Sequence, residues 1–232
     1  IVAELLRMLR DEIQPGLTTL HLNNLCERYI EKKGAKAAFK GYNGFPNALC
    51  ISVNEEIVHG IPGHRQLNEG DIVSCDIGVL WKGYYGDAAA TFPVGEISRE
   101  AEKLVTVTQE SLYKGIEMAR EGNRLYDISH AIQSHVESAG FSVVRMFVGH
   151  GIGRELHEDP QIPNYGLPGR GVRLKTGMVL ALEPMVNVGH HGVKILNDGW
   201  TAVTEDGSLS AHFEHSIAIQ NGVPEILSEW EN

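Results

Sequence analysis

Four carboxylates and one imidazole stand in or beside apolar, strand-like segments of this 232-residue chain. They are Asp76, Asp87, His150, Glu183 and Glu214, in the contexts CDIG, GDAAATF, GHGIG, ALEPM and HFEHS. Burying unpaired carboxylates is costly, so this set needs a cationic partner. A pair of divalent metal ions would meet that need, and the pattern therefore predicts a two-metal hydrolase.

The spacing of the first two carboxylates supports this interpretation. Asp76 and Asp87 flank the turn-rich segment KGYYG at residues 82–86, and an antiparallel hairpin would bring them side by side on one face. Like charges placed opposite each other are destabilising, so the pair needs a cation. Carboxylates with one imidazole suit Mn, Fe, Co or Zn, among which the sequence does not choose. Taken singly, a strand Asp is usually a turn or cap residue and a lone His is usually structural.

Composition excludes several other classes. Hydrophobic residues make up 42% and charged residues 22%, as is typical of soluble globular proteins, and no apolar run is long enough to predict a membrane span. The net charge of −10 argues against nucleic acid as a partner. Three cysteines without metal-type spacing, Cys26, Cys50 and Cys75, favour free thiols and a reducing compartment.

Apolar periodicity predicts an alternation of helices and strands. Helices are expected over residues 1–13, from Thr18 or Thr19 to Gly34, from a cap at Ser98, and over 126–139. Strands are expected near residues 49–53, 72–79, 84–92, 142–148, 178–183, 193–196, 200–204 and 211–219.

The two halves of the chain resemble each other. Leu67-x-x-Gly70 precedes Asp76 with the same spacing at which Leu174-x-x-Gly177 precedes Glu183. The sequences HGIP at 59–62 and HGIG at 150–153 also correspond. We therefore expect a single domain over residues 1–232 with pseudo-repeats at about 17–94 and 98–219, and a site at their junction.

The motifs CDIG, GDAAATF, GHGIGRELHEDP, ALEPM and DGWTAVTEDGSLSAHFEHSI resemble those of methionine aminopeptidases of the short, type I kind. The resemblance covers about residues 41–219, and the insertion of type II enzymes has no room between His150 and Glu214. It implies an α+β pita-bread fold, with a curved antiparallel sheet, helices outside and two pseudo-symmetric halves.

The resemblance also implies roles for the metal-site residues. Asp76 would chelate one of two divalent ions (Co, Mn, Fe or Zn), His150 and Glu183 would hold the other, and Asp87 and Glu214 would bridge them. A bridging hydroxide would attack the first peptide carbonyl, with Glu183 as a proton acceptor.

Further side chains acquire roles in the same way. His157 would hydrogen-bond the scissile carbonyl, and His59 would contact the substrate near the scissile bond; the alternative for both is a structural role. Tyr42, Phe45, Cys50 and Trp200 occupy positions that line the methionine pocket in relatives. Many relatives carry Tyr at the position of Phe45 and an aromatic residue at that of Leu156, so the outline of the pocket differs here.

The implied activity is removal of the initiator methionine from nascent chains whose second residue is small. The implied setting is a cytoplasmic monomer without nucleic acid or membrane partners. Contact with the ribosome is a family expectation, to which the acidic composition gives no support.

Two alternatives remain open at this stage. Prolidase and aminopeptidase P share the ligand order, but they tend to read EPG after the first Glu and to have an Asp soon after the last. Here Pro184-Met185 follows Glu183, and His215-Ser216 follows Glu214. A metal-free binding scaffold would show substituted ligands, whereas all five ligands are present.

Overall fold

The computed structural model describes residues 1–220 and 222–231. Within them lie helices α1 (Val2–Glu12), α2 (Thr19–Lys32), α3 (Arg99–Met118) and α4 (Leu125–Ser138). The side chains of Thr18 and Ser98 accept backbone hydrogen bonds at the starts of α2 and α3, so both predicted caps are confirmed. None of the helices in this described part has the length and apolar content that a bilayer crossing requires.

Fifteen strands in the same residues form three antiparallel sheets. They are β1 (Lys36–Ala37), β2 (Cys50–Val53), β3 (Glu56–Val58), β4 (Ile72–Trp81), β5 (Tyr84–Pro93), β6 (Ser142–Val143), β7 (Gly149–Gly151), β8 (Glu158–Ile162), β9 (Val179–Leu182), β10 (Met185–Asn187), β11 (Val193–Ile195), β12 (Ala202–Thr204), β13 (Ser210–His212), β14 (Glu214–Ala218) and β15 (Glu225–Ile226). The main sheet has the order β1-β4-β5-β14-β9-β7-β8, with β2 paired to β4 and β15 to β14. The smaller sheets have the orders β13-β10-β6 and β11-β12-β3.

Two of the predicted strands are wrong in extent. The strand expected at 142–148 ends at Val143, because the following residues leave the sheet and part of them lines a cavity. The strand expected at 211–219 is broken at Phe213, whose N–H donates to Pro184 in a neighbouring loop. At this break the chain passes from one sheet to another, since β13 pairs with β10 and β14 pairs with β5 and β9.

The main core lies between the helices and one face of the main sheet. Helix α1 packs against β4 and β5, and α3 packs against β5, β9 and β14. Leu5, Leu6 and Leu9 of α1 are fully buried there, and each such side chain contributes about 1.5–3 kcal/mol. Strand residues alternate between faces, so that Cys75 and Ile77 face this core while Asp76 between them faces the other side.

The two predicted halves contain matching contacts. Leu67 and Leu174 are both buried, and Gly70 and Gly177 have φ values of 92° and 93°. A short β-bridge joins the residue before each leucine to the N-cap of α2 or α4. These matched contacts support the internal duplication, which stays a prediction.

Candidate active site

The hairpin of β4 and β5 presents the first two carboxylates. Residues 82–83 form its two-residue turn with φ values of 51° and 84°, which suits a type I′ turn. This short turn pairs Asp76 with Ala89 and Gly78 with Asp87. The two carboxylates therefore lie side by side on one face, as predicted, and the register makes them diagonal neighbours rather than a directly opposed pair.

The adjacent strands bring the other three candidates to the same face. Glu214 of β14 pairs with Ala89 of β5. Glu183 directly follows β9, and the β14–β9 register continued by one residue places it beside Glu214. His150 of β7 pairs with Ala181 of β9, two residues before Glu183. Because residues two apart on a strand point to the same side, all five side chains meet over one patch of the sheet.

The side chains of this cluster lie close enough together to hold a metal ion. Ligand atoms of Asp87, His150 and Glu214 all lie within 4.8 Å of one another, and Nε2 of His150 lies 3.6 Å from Oε1 of Glu183. Nδ1 of His150 is 2.8 Å from the carbonyl oxygen of Gly151, which can only accept. Nδ1 therefore carries the proton, and the Nε2 lone pair faces the carboxylates, as in metal-binding histidines.

Burial perturbs every ionisable group of the cluster. It raises the pKa values of Asp76, Glu183 and Glu214 well above their ordinary range, and the charge of Asp87 raises them further. The pKa of Asp87 rises to about 7, chiefly through burial, and burial lowers the pKa of His150 to about 4. A nearby divalent cation would reverse these shifts for the carboxylates.

Unsatisfied oxygens show that the residues fit such a cation. Oδ1 of Asp76, Oδ1 of Asp87 and Oε1 of Glu214 are buried without a hydrogen-bond partner. A buried acceptor left unpaired costs about 1–3 kcal/mol, and more when charged. Carboxylate oxygens with one imidazole nitrogen form a donor set for a divalent transition metal.

Two glycines of the GHGIG motif are required because the backbones of neighbouring strands approach them closely. A Cβ atom at Gly149 would lie 2.4 Å from the carbonyl oxygen of Ala181, and one at Gly151 would lie 2.3 Å from that of Asp159. Both contacts are shorter than any side chain permits. The glycines thus let β7 enter the sheet between β8 and β9 and place His150 at the centre.

Two further histidines border the metal-ligand cluster. The ring of His157 lies 4.3 Å from that of His150, and its Nδ1 lies 2.7 Å from the hydroxyl of Tyr42. The ring of His59 packs edge-on against Phe147. Burial lowers the pKa of His157, and burial together with His157 lowers that of His59 to about 4. Both rings are therefore neutral at pH 7.

His59 also has an unusual backbone. Its φ is 61°, a conformation that costs energy for a residue with a side chain. The adjacent Gly60 donates its N–H to Ser52 Oγ, and a Cβ atom there would lie 2.2 Å from the carbonyl oxygen of Ile51. The close approach to Ile51 therefore requires glycine at position 60, whereas the left-handed backbone lies at His59 itself, whose side chain lines the cavity.

A cavity of about 320 Å³ adjoins the metal-ligand cluster. Every site residue predicted from the sequence lines it: Tyr42, Phe45, Cys50, His59, Asp76, Asp87, His150, His157, Glu183, Trp200 and Glu214. Beside it lies an apolar cluster that we call the pocket wall: Phe39, Phe45, Cys50, Ile152, Leu156 and Ala181. Phe39, Phe45, Cys50 and Leu156 of this cluster line the cavity itself. Trp200 packs edge-on against Phe45 at 5.2 Å between ring centroids.

Sequence reasoning missed several cavity-lining residues: Phe39, Asn43, Val58, Met146, Phe147, Val148 and His212. His212 is buried, its Nε2 has no hydrogen-bond partner, and burial with the nearby His59 lowers its pKa to about 3. Its place in the HFEHS motif, two residues before Glu214, was a usable signal. Residues 146–148 carried none, since their apolar run is equally typical of a core strand.

Comparisons with known proteins agree with this geometry. The model of metallopeptidase family M24 matches residues 1–221. The methionine aminopeptidase of Clostridium perfringens is 58% identical over 228 residues, covering 98% of this chain and 92% of that protein. Methionine aminopeptidase 1 of Bacillus subtilis is also 58% identical, with the same coverage. The predicted family resemblance is thus confirmed.

Solved structures confirm the predicted pita-bread fold. The methionine aminopeptidase of Thermotoga maritima is 54% identical with a TM-score of 0.97, over 98% of this chain and 92% of that one. The prolidase of Pyrococcus furiosus is 20% identical with a TM-score of 0.79, over 99% of this chain and 61% of that one, so it shares the fold alone. On the family match, the relatives and the fold together, this chain belongs to metallopeptidase family M24.

Proposed function

We propose that this protein is a metal-dependent aminopeptidase that removes N-terminal methionine from polypeptides with a small second residue. The observation that carries the proposal is a buried centre of four carboxylates and one imidazole beside an apolar cavity. The relatives named methionine aminopeptidase, at 58% identity over nearly the whole chain, support the same activity.

The cavity suits an unbranched apolar side chain. The pocket wall and Trp200 offer aromatic, aliphatic and sulfur contacts within about 320 Å³. A thioether packs well against aromatic rings, because its sulfur is polarisable and its chain adapts to irregular spaces. The rings of His59, His150 and His157 crowd the space beside the carboxylates, which favours a small second residue.

The same centre accounts for a preference for the amino terminus of a chain. A divalent ion held by the carboxylates would accept the free amine of an N-terminal residue as a ligand, whereas an internal peptide nitrogen is a poor ligand. We assign Asp76 to one metal ion, His150 and Glu183 to a second, and Asp87 and Glu214 to both, with Co, Mn, Fe or Zn as candidates. When bound, such ions act as Lewis acids and lower the pKa of water, which makes it a nucleophile near neutral pH.

The chain's own residues then position the substrate and move protons. Glu183 accepts a proton from the nucleophile, since its carboxylate lies within the metal-ligand cluster, 3.6 Å from Nε2 of His150. His157, neutral and directed into the cavity, donates a hydrogen bond to the scissile carbonyl oxygen. His59 contacts the peptide on the other side of the scissile bond.

The proposed setting is nascent polypeptide N-termini in the cytoplasm, with the enzyme acting as a monomer. The thiols of Cys26, Cys50 and Cys75 are free and buried, and burial raises the pKa of each. Free thiols suit a reducing compartment.

The test is hydrolysis of Met-Ala-Ser beside Gly-Pro and Ala-Pro dipeptides, in metal-free protein and after addition of Mn, Co, Fe or Zn. We expect metal-dependent release of methionine alone. Cleavage only before proline would replace the proposal with a prolidase activity, and turnover of neither substrate with any metal would refute it.

A further inference from the structure

Tyr42 is held over the cavity by an unusual turn. It begins the 3₁₀ helix Tyr42–Gly44, whose flanking Gly41 has a φ of 85° and whose Asn43 has a φ of 47°. The N–H of Gly41 donates to the carbonyl of Phe45, and the N–H of Tyr42 donates to that of Phe39. These bonds close the turn at both ends and so fix the backbone from which the Tyr42 side chain, 37% exposed, extends to the cavity.

The Tyr42 hydroxyl lies 2.7 Å from Nδ1 of His157, and the two rings are 5.2 Å apart at 47°. The residues are 115 positions apart in sequence, in the first and second predicted halves respectively. Among residues 1–220 and 222–231 this is the one hydrogen bond formed by either side chain. The contact therefore joins the two halves directly at the cavity.

The chemistry of the pair assigns its proton. A phenol hydroxyl is a good donor, and the unprotonated nitrogen of a neutral imidazole is a good acceptor. If the hydroxyl donates to Nδ1, the remaining proton of the neutral ring resides on Nε2. Nε2 then has an N–H without a hydrogen-bond partner among the described residues, on a ring that lines the cavity 4.3 Å from the ring of His150.

We propose that Tyr42 is a positioning residue, whose hydroxyl holds His157 as the Nε2–H tautomer with that N–H directed at the substrate carbonyl. The proposal rests on the function proposed above, because it assumes that His157 donates to the scissile carbonyl. It gives Tyr42 a role beyond lining the pocket: the hydroxyl fixes a proton and a ring orientation before substrate arrives.

The first test compares Tyr42→Phe with Tyr85→Phe in metal-loaded protein, with Met-Ala-Ser as substrate. Tyr85 is a matched control, since it packs against the pocket wall, does not line the cavity, and has no hydroxyl hydrogen bond among the described residues. We expect Tyr42→Phe to lower kcat about tenfold with KM changed less than about twofold, since the lost orientation matters most in the transition state. Tyr85→Phe should retain wild-type kcat.

The second test asks whether Tyr42 acts through His157. In a His157→Ala background, Tyr42→Phe should change kcat less than about twofold, because the group that it orients is absent. A tenfold loss that persists in this background would overturn the proposal and would mean that the hydroxyl contacts substrate itself. An unchanged kcat in the Tyr42→Phe single variant would overturn it as well.

The third test is spectroscopic and independent of turnover. Histidine ¹⁵N shifts of the metal-free and zinc-loaded protein, assigned with His157→Ala, should show protonated Nε2 and hydrogen-bonded, unprotonated Nδ1 for His157. Tyr42→Phe should abolish the hydrogen-bonded Nδ1 signature, and a wild-type spectrum with Nδ1 protonated would refute the proposal. Failure of the proposed function is distinguishable from these results, because wild-type protein would then release no methionine.

Discussion

Replacement of Asp87, a carboxylate proposed to bind metal, should stabilise the metal-free protein. Asp87 is buried, and its Oδ1 has no hydrogen-bond partner. Without metal, its ionisation costs folding free energy, which Asp87→Asn removes while keeping the shape of the side chain. We therefore expect the metal-free Asp87→Asn variant to be more stable than metal-free wild type at alkaline pH, and to lose metal affinity.

The magnitude follows from the pKa of Asp87, which rises from 3.8 to about 7 on folding. A carboxyl with a raised folded-state pKa favours folding while protonated, and this contribution is lost as pH rises through the window from 3.8 to about 7. At about 1.4 kcal/mol per pKa unit, the full loss is about 4 kcal/mol. Roughly half of it, about 2 kcal/mol, falls between pH 5.5 and pH 8.

The assay is urea unfolding with a chelator present, at pH 5.5 and at pH 8. The stability of Asp87→Asn relative to wild type should increase by about 2 kcal/mol between these two conditions. Asp11→Asn is the control, since the Asp11 side chain is 72% exposed beside Arg10, and its difference from wild type should not change with pH in this way.

Two results would refute this reasoning. One is a relative stability of Asp87→Asn that is equal at both pH values, which would mean that Asp87 titrates normally in the folded chain. The other is an undiminished metal affinity or stoichiometry in the variant, which would remove Asp87 from the metal centre.

Three further predictions concern the metal, the chemistry and the sheet. Divalent metal at 100 times its Kd should stabilise wild type by about 2.7 kcal/mol, read as a rise in Tm; no rise with any of Mn, Co, Fe or Zn would contradict the metal centre. His157→Ala should keep metal binding by calorimetry but lower kcat by roughly 10²-fold, as loss of a transition-state donor does; near-normal turnover would remove His157 from the mechanism. Gly151→Ala should destabilise the fold by more than about 2 kcal/mol, since its Cβ would meet the Asp159 backbone oxygen at 2.3 Å. Gly63→Ala is its control, because there the nearest atom is the Ile61 carbonyl oxygen at 3.9 Å, an ordinary contact, and equal unfolding free energies of the two variants would contradict the steric argument.

The helices and the long strands were predictable because their patterns are local. The apolar stripe of α1 and the N-caps Thr18 and Ser98 depend on residues within one or two helical turns. The strands β4 and β5 are predictable from their apolar runs and from the turn between them. By contrast, β8 contains Pro160 and charged residues, and β3 and β10 have three residues each. Such short strands form because they pair with neighbouring strands, and the local sequence pattern does not show which strands will be neighbours.

The candidate site also has a part that was predictable from the sequence and a part that was not. The sequence was enough to name the five candidates Asp76, Asp87, His150, Glu183 and Glu214. Carboxylates beside strand-like apolar runs are costly to bury without a partner, whatever the arrangement of the strands. Their roles as individual metal ligands stay predictions, but the structure brings all five to one cavity. The exact relation of Asp76 to Asp87 was missed, since it depends on which two residues form the turn.

The sequence by itself determined which residues carry charge, where helices begin, and which family the motifs resemble. Only the tertiary structure decided which distant residues come into contact. It placed Met146 and His212 in the lining of the cavity. It also separated two strands at Phe213, where the chain passes from one sheet to another, and brought Tyr42 into hydrogen-bond contact with His157, 115 positions away. The physical reason is that burial and hydrogen bonding between distant segments depend on strand register and loop closure, which are set by the packing of the whole domain.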